Sequence, residues 1–260
     1  LAGVADPRRT GLQHGILREF QTLSDMPPHP NVITLLAFLT KRLTRPIYDL
    51  LPDGFRLLVG GAANPVLALI MPLHPRTLEA AAAAGAEPAQ LVRWCLDVSA
   101  AVAHMWQYRW VHLDLKRDNA LVADDGRAVL TDMGTAMFVA ADGSLTVPAH
   151  FGLSGNPAHR APEVLAAWEA QHTPTSLVRM DVGRQEVWAL GVLLHELVAG
   201  KHPYGEDYPG EGHDGAPVVD EAKLVARGLP AATVAVVRRM VSSDPGARPA
   251  HPAAAHAELV

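Results

Sequence analysis

Cysteine is nearly absent from this sequence. Among 260 residues only Cys95 carries a thiol, which excludes an internal disulfide framework and points to a reducing, intracellular compartment, the cytoplasm. Cys95 itself stands in a helical pattern and reads as a buried core thiol. No apolar run reaches the roughly 20 residues that a membrane-spanning helix needs. The most apolar window, VWALGVLLHELVAG, is shorter and carries His195 and Glu196, so no membrane span is expected in this segment. A basic stripe is also missing: 22 Lys and Arg are scattered among 27 Asp and Glu, for a net charge of −5, which argues against a nucleic-acid partner. The 13 histidines bring no metal spacing with them, because His195-Glu196 is followed by LVAG rather than by the remainder of a zinc helix. No zinc site is expected, and His104 and His195 read as core or boundary residues. Internal repeats are absent too, and nothing in the pattern sets the oligomeric state.

What is present is a chain that is 49% hydrophobic, long enough to bury a sizeable core as one domain or two unequal lobes. GLQHGILREFQTL repeats apolar residues at Leu12, Ile16, Phe20 and Leu23, a helical spacing that MPPHP then ends. VITLLAFL and PVLALIMPL are short and apolar enough for strands, and the stretch from Lys41 to Asn64 reads as a strand pair with an irregular connection. From Arg76 the character changes. RTLEAAAAAG and AQLVRWCLDVSAAVAHMW read as helices, the second with Leu91, Cys95, Val98 and Val102 on one face. NALV and AVLT are strand-like and are joined by ADDGR, whose Asp-Gly favours a tight hairpin. Residues 132–163 lack periodicity, a length of loop that is usually functional or mobile. Helices are expected at about 160–170, 184–199, 218–228 and 230–241. The result is an α+β chain: a small strand-bearing front lobe over residues 1–75 and a large helical back lobe over 76–260.

Asp114, Lys116 and Asn119 follow a helix and precede the hairpin, and Asp132 follows its second strand. Folding of the hairpin brings Asn119 and Asp132 to the same end. Short oxygen ligands of this kind suit Mg²⁺, which completes its shell with water and phosphate oxygens. Asp114 is then a carboxylate able to take a hydroxyl proton, and Lys116 a positive charge for a transferring phosphoryl group. Each of these residues alone would read as a solvated loop charge; the joint placement carries the inference.

The segments HPNVITLLAF, LALIMPL, VHLDLKRDNALV, AVLTDMGTA, GNPAHRAPEV, EVWALGVLLHELVAGKHPY and DPGARPA occur in the order in which similar motifs run through eukaryotic-type protein kinases of the Ser/Thr group, and the chain resembles that family over nearly its whole length. The resemblance implies a bilobal kinase-like fold with a truncated β-rich front lobe, ATP and Mg²⁺ as cofactors, and a protein substrate. By position, Asp114 resembles the catalytic base, Lys116 the lysine that steadies the γ-phosphate, Asn119 a metal ligand, and Asp132 the Asp that holds Mg²⁺ across the phosphates, with Met133 in place of the usual Phe. Met71 resembles the residue that guards the adenine pocket. Pro72 has no N–H, so the adenine donors must be Leu73 and His74. Glu19 resembles the Glu that pairs with the ATP-contacting lysine, and Leu23, one turn on, the residue stacked on Met133 and His112. Glu163 is expected to form a buried pair with Arg248.

Four departures from the family pattern stand out. No Gly-rich loop precedes Glu19 and no lysine precedes Lys41, so either the chain, starting at Leu1, is a piece of a longer kinase, or it is a catalytically impaired binding or scaffold module. For these 260 residues alone, weak or absent activity is expected. Leu113 replaces the Arg that clamps a phosphorylated activation loop, leaving a phosphate on Ser144, Thr146 or Ser154 without a partner beside the base. Glu186 stands where an Asp caps the catalytic-loop backbone. Asn156 replaces a Thr that bonds Asp114 and Lys116, and its amide is expected to serve instead.

Overall fold

In a computed structural model, residues 7–42, 44–45, 49, 65–148, 155–170, 177–205 and 217–260 are described. Most of the Lys41–Asn64 stretch and Ser154 therefore lie outside the described residues.

The first helix, α1 (Pro7–Asp25), stops before the Pro27-Pro28 pair, which removes two backbone donors. Strand β1 (Ala37–Arg42) pairs antiparallel with β2 (Pro65–Ile70), Ala37 opposite Ile70 and Arg42 opposite Pro65. β1 thus begins later than the apolar run VITLLAFL suggests, because tertiary docking claims the start of that run. Val32 and Ile33 are buried, Ile33 N–H donates to Leu130 O at 2.8 Å, and Leu130 N–H donates to Asn31 O at 2.8 Å.

The helical part begins with β3 (Arg76–Thr77) and α2 (Leu78–Ala83), whose N-cap Thr77 hydroxyl accepts from Ala80 N–H. Helix α3 (Pro88–Gln107) opens with Pro at its first turn, where the missing N–H costs nothing. Its face of Leu91, Cys95, Val98 and Val102 is buried as the spacing requires. Burying each such aliphatic side chain contributes about 1.5–3 kcal/mol. β4 (Trp110–Val111) leads into the loop at 112–119, and the hairpin β5 (Ala120–Val122) with β6 (Ala128–Leu130) follows, Ala120 facing Leu130. α3 anchors this hairpin: Gln90 Nε2 and Trp94 Nε1 both donate to Gly126 O at 2.9 Å, and Asp97 accepts from Ala128 N–H at 2.8 Å.

The described residues between 132 and 163 hold more regular structure than their composition suggests. β7 (Met137–Phe138) pairs with β4, and β8 (Ser144–Pro148) pairs antiparallel with β9 (Leu177–Asp181), Thr146 opposite Arg179. Leu145, Val147, Val178 and Met180 are buried on one face of this ribbon. Helix α4 (Pro162–Glu169) lies between its strands in the chain. Helix α5 (Val182–Ala199) is capped by the Asp181 carboxylate at one end and by left-handed Gly200 at the other, and it is buried almost all round. α6 (Glu221–Ala226) and α7 (Ala231–Met240) are shorter than the periodicity implies. A further helix, α8 (Pro252–Leu259), was not expected, since its Ala-rich sequence has little periodic contrast. It buries Ala255 and Leu259 and joins α3 through Ser99 Oγ and His256 Nδ1, 2.8 Å apart. The chain is thus α+β, with four small antiparallel sheets among the described residues and a predominantly helical core.

Candidate active site

The loop after β4 is shaped from below by α5. Glu186, buried on that helix, accepts Leu113 N–H at 2.8 Å through Oε1 and His112 N–H at 3.2 Å through Oε2. The two bonds hold Leu113 in the left-handed region at φ 63, a conformation that costs a non-glycine residue energy unless its surroundings impose it. Burial pushes the Glu186 carboxyl up to about 7, against the lowering effect of those two N–H donors. His112 is buried as well; its Nε2 bonds Thr131 O at 2.9 Å, and burial holds its imidazole below the usual range.

Asp114 is the centre of the polar network. Its Oδ2 accepts from Lys116 Nζ at 2.8 Å and from Asn119 Nδ2 at 2.9 Å, and its Oδ1 accepts from Asn156 N–H at 2.8 Å. Asn119 Nδ2 also donates to Asp114 O at 2.9 Å. The expectation that the Asn156 amide would act on Asp114 is corrected here: its backbone N–H does so, while its side-chain Oδ1 caps Ala158 N–H at 3.0 Å. Gly155, just before it, sits at φ +104, and a Cβ there would lie 1.9 Å from Leu113 O. Only glycine lets these two strands of backbone meet. Nothing in the side-chain pattern marks this position, whose requirement comes from a contact with Leu113, 42 residues away in the chain.

The hairpin brings Asn119 and Asp132 to the same end, where Thr131 N–H donates to Asn119 O at 2.9 Å. Asp132 is exposed and left-handed at φ 62. Because both Asn119 amide hydrogens go to Asp114, its carbonyl Oδ1 is the atom available as a ligand. Carboxylate and amide oxygens together fit the donor set of Mg²⁺.

On α1, Glu19 accepts Met133 N–H at 3.3 Å, and burial, with Asp132 adding to it, raises its carboxyl above the usual range despite that bond. Among the described residues no lysine bonds Glu19. Leu23 packs half-buried against the core cluster that contains Met133. Met71 and His74 are half-buried and Leu73 is 87% exposed. His74 Nδ1 is buried without a partner among the described residues. The Leu113 position offers no guanidinium. Arg179 instead lies across β8, 3.2 Å from Ser144 Oγ and 2.5 Å from the Asp142 carboxylate.

The network continues to the helical core. Arg248, buried, holds Glu163 with two bonds of 2.6 and 2.9 Å and lies over the Trp188 ring at 4.7 Å. Arg117 donates to Glu79 at 3.0 Å and lies 3.7 Å from Glu196.

A family model described as "Protein kinase domain" matches residues 5–259. The chain is 33% identical over 125 residues to testis-specific serine/threonine-protein kinase 5 of Mus musculus, covering 48% of this chain and 30% of that protein. It is 31% identical over 121 residues to serine/threonine-protein kinase PAK 5 of Rattus norvegicus, covering 46% and 15% respectively. CBL-interacting protein kinase 22 of Oryza sativa subsp. japonica is 30% identical over 191 residues, 73% of this chain and 36% of that protein. The matched region thus spans about a third or less of each of these relatives. With the match running from α1 to α8 through every segment of the site, the chain belongs to the protein kinase domain family.

Proposed function

We propose that the chain supplies the catalytic body of a protein serine/threonine kinase, transferring the γ-phosphoryl group of ATP to a Ser or Thr hydroxyl of a protein substrate. The observation that carries this reading is the Asp114 carboxylate, with one oxygen held by Asn156 N–H and the other by Lys116 and Asn119. A carboxylate fixed in this way orients the attacking hydroxyl and takes its proton as the new O–P bond forms. Lys116 sets positive charge beside it, where charge on the transferred group must be neutralised. Asn119 Oδ1 and Asp132 would hold Mg²⁺, which when bound neutralises charge on the ATP phosphates. The segment Met71–His74 receives adenine, with the N–H groups of Leu73 and His74 as donors, in the seam between lobes 1–75 and 76–260. The reaction belongs in a reducing, cytoplasmic setting, in keeping with Cys95, a buried thiol pushed up to about 12 by burial. No helix among the described residues is long and apolar enough to cross a membrane.

One observation favours a second reading, a kinase-like binding module without transfer activity: Glu19 is engaged by the Met133 backbone and by no lysine among the described residues. Two measurements on the longest natural form of the chain decide between them. Transfer from γ-labelled ATP to a Ser/Thr peptide library is expected to fall by about 100-fold or more in Asp114→Asn, the scale of a lost general base, with folding retained. Near-normal transfer by that variant would refute the role given to Asp114. Absence of both transfer and Mg-ATP stabilisation in the wild type would select the binding module, because a ligand that binds only the folded state must raise its stability.

A further inference from the structure

Three side chains from three segments converge beside the loop at 112–119, and neither Asn119 nor Asp132 is among them. His159 comes from the turn before α4, Glu196 from the last turns of α5, and His202 from the turn after it. One ring nitrogen of each histidine and one carboxylate oxygen of Glu196 all lie within 4.8 Å of one another. Both histidines are buried, at 4% and 7% exposure, and Glu196 is half-buried.

The surroundings bear on what such a cluster can hold. His159 Nδ1 is bonded to Leu115 O, which leaves its Nε2 facing Glu196 Oε2 at 3.2 Å. With Nδ1 donating to that carbonyl, the contact between Nε2 and Oε2 is closed either by a second proton on the imidazole or by a metal ion that both atoms bind. A backbone carbonyl on the far nitrogen is also the usual outer partner of a metal-bound imidazole, fixing its tautomer and direction. His202 has the same kind of partner, Ala158 O, at 2.9 Å from Nε2, while its Nδ1 accepts Tyr204 N–H at 3.1 Å. Both of its nitrogens are thus engaged, so a metal must replace one of these two bonds. Arg117, the one guanidinium or ammonium paired with Glu196 among the described residues, at 3.7 Å, has a second anion to retain, Glu79 at 3.0 Å.

We propose that His159, Glu196 and His202 form a Zn²⁺ site, with water completing a four-coordinate shell. Two imidazoles and one carboxylate are a zinc donor set, whereas Mg²⁺ favours oxygen alone. A cavity of about 600 Å³ lined by His202, Tyr204 and Asp220 adjoins one of the three residues. Bound there, the ion clamps the segment before Ala161–Glu163 to α5 and, through the Leu115 carbonyl on His159, to the catalytic loop. This proposal does not depend on the kinase activity of the chain. It departs from the expectation, drawn from spacing along the sequence, that no zinc site is present.

The test is a zinc competition titration against a chromophoric indicator, using metal-stripped protein without a polyhistidine tag, in excess Mg²⁺ so that oxygen-only sites are filled. One Zn²⁺ per chain is expected, with affinity weakened at least ~10-fold in His159→Gln and in His202→Gln. His29→Gln and His104→Gln, which alter a separate stacked pair with rings 4.6 Å apart, are expected to leave it unchanged. X-ray absorption of the zinc-loaded protein should report imidazole nitrogens at about 2.0–2.1 Å. Absence of stoichiometric zinc binding by the wild type would overturn the proposal, and this result needs no variant to fold. Binding of equal strength in the folded His159→Gln and His202→Gln proteins would overturn it as well.

Discussion

Glu186 is expected to control stability in a pH-dependent way that a glutamine cannot reproduce. Its carboxylate, buried on α5, is the acceptor for His112 and Leu113 N–H, and burial lifts it from an ordinary 4.5 to about 7. A carboxyl whose folded-state value is raised binds protons more tightly when folded. Its contribution is therefore complete below about 4.5 and is lost as pH rises through about 7. A rise from 4.5 to about 7 corresponds to about 3 kcal/mol at about 1.4 kcal/mol per unit. Glu186→Gln keeps the shape and one acceptor but turns an amide N–H toward a backbone donor. It should destabilise the protein by about 1–3 kcal/mol, the cost of one buried donor left unpaired, and it removes the titration. Urea denaturation of both proteins at a series of pH values between 5 and 7.5 reads the difference directly. The lowered values of His112 and His202 act in the opposite sense, but they are common to both proteins and cancel in the comparison. The difference curve should narrow steadily with rising pH as the wild type loses its advantage. Parallel stability curves for wild type and variant across that window would refute the reasoning.

Other outcomes follow from the same geometry. Gly155→Ala would place a methyl 1.9 Å from Leu113 O, so the backbone must shift by about 1 Å, and a displacement of that size beside a reacting group costs about 100-fold in kcat; wild-type kinetics in this variant would show that the contact does not exist in solution. Arg248→Leu removes the guanidinium from the partly exposed Glu163 and from the Ser242 carbonyl, and is expected to cost about 1–3 kcal/mol in urea denaturation. An unchanged midpoint would mean that the pair is no stronger than a surface one.

Much of the site was legible because its polar residues lie close together along the chain. Asp114, Lys116 and Asn119 fall within one short loop, and the Asp-Gly turn in ADDGR announces the hairpin that carries Asp132 back to them. The buried face of α3 follows from spacing alone, and the Glu163–Arg248 pair from the motifs on either side of it. What escaped notice depends on partners distant in sequence. β8 and β9 each alternate for only five residues, and they pair across the whole of α4. α8 is rich in alanine, so its buried stripe of Ala255 and Leu259 gives little contrast with the exposed face. Val32 and Ile33 read as strand, but docking on Leu130 draws them out of β1. Asn156 acts on Asp114 through its backbone, which no reading of side-chain type could reveal. The grouping of His159, Glu196 and His202 likewise arises only when α5 packs beneath the turn before α4.

The two bonds from Glu186 to the loop at 112–119 close chain spans of 74 and 73 residues, and the bond from Asn156 to Asp114 closes one of 42. Contacts that span so much chain form slowly, since the entropy of closing the loop must be met before the bond can return it. The apparatus around Asp114 is therefore completed only when segments distant in the chain have met. A nascent or clipped chain ending before Glu186 can hold the hairpin, with its local turn and its anchors on α3, yet leaves His112 and Leu113 uncapped. In this domain the order of synthesis itself leaves the loop around Asp114 uncapped until Glu186 has been made.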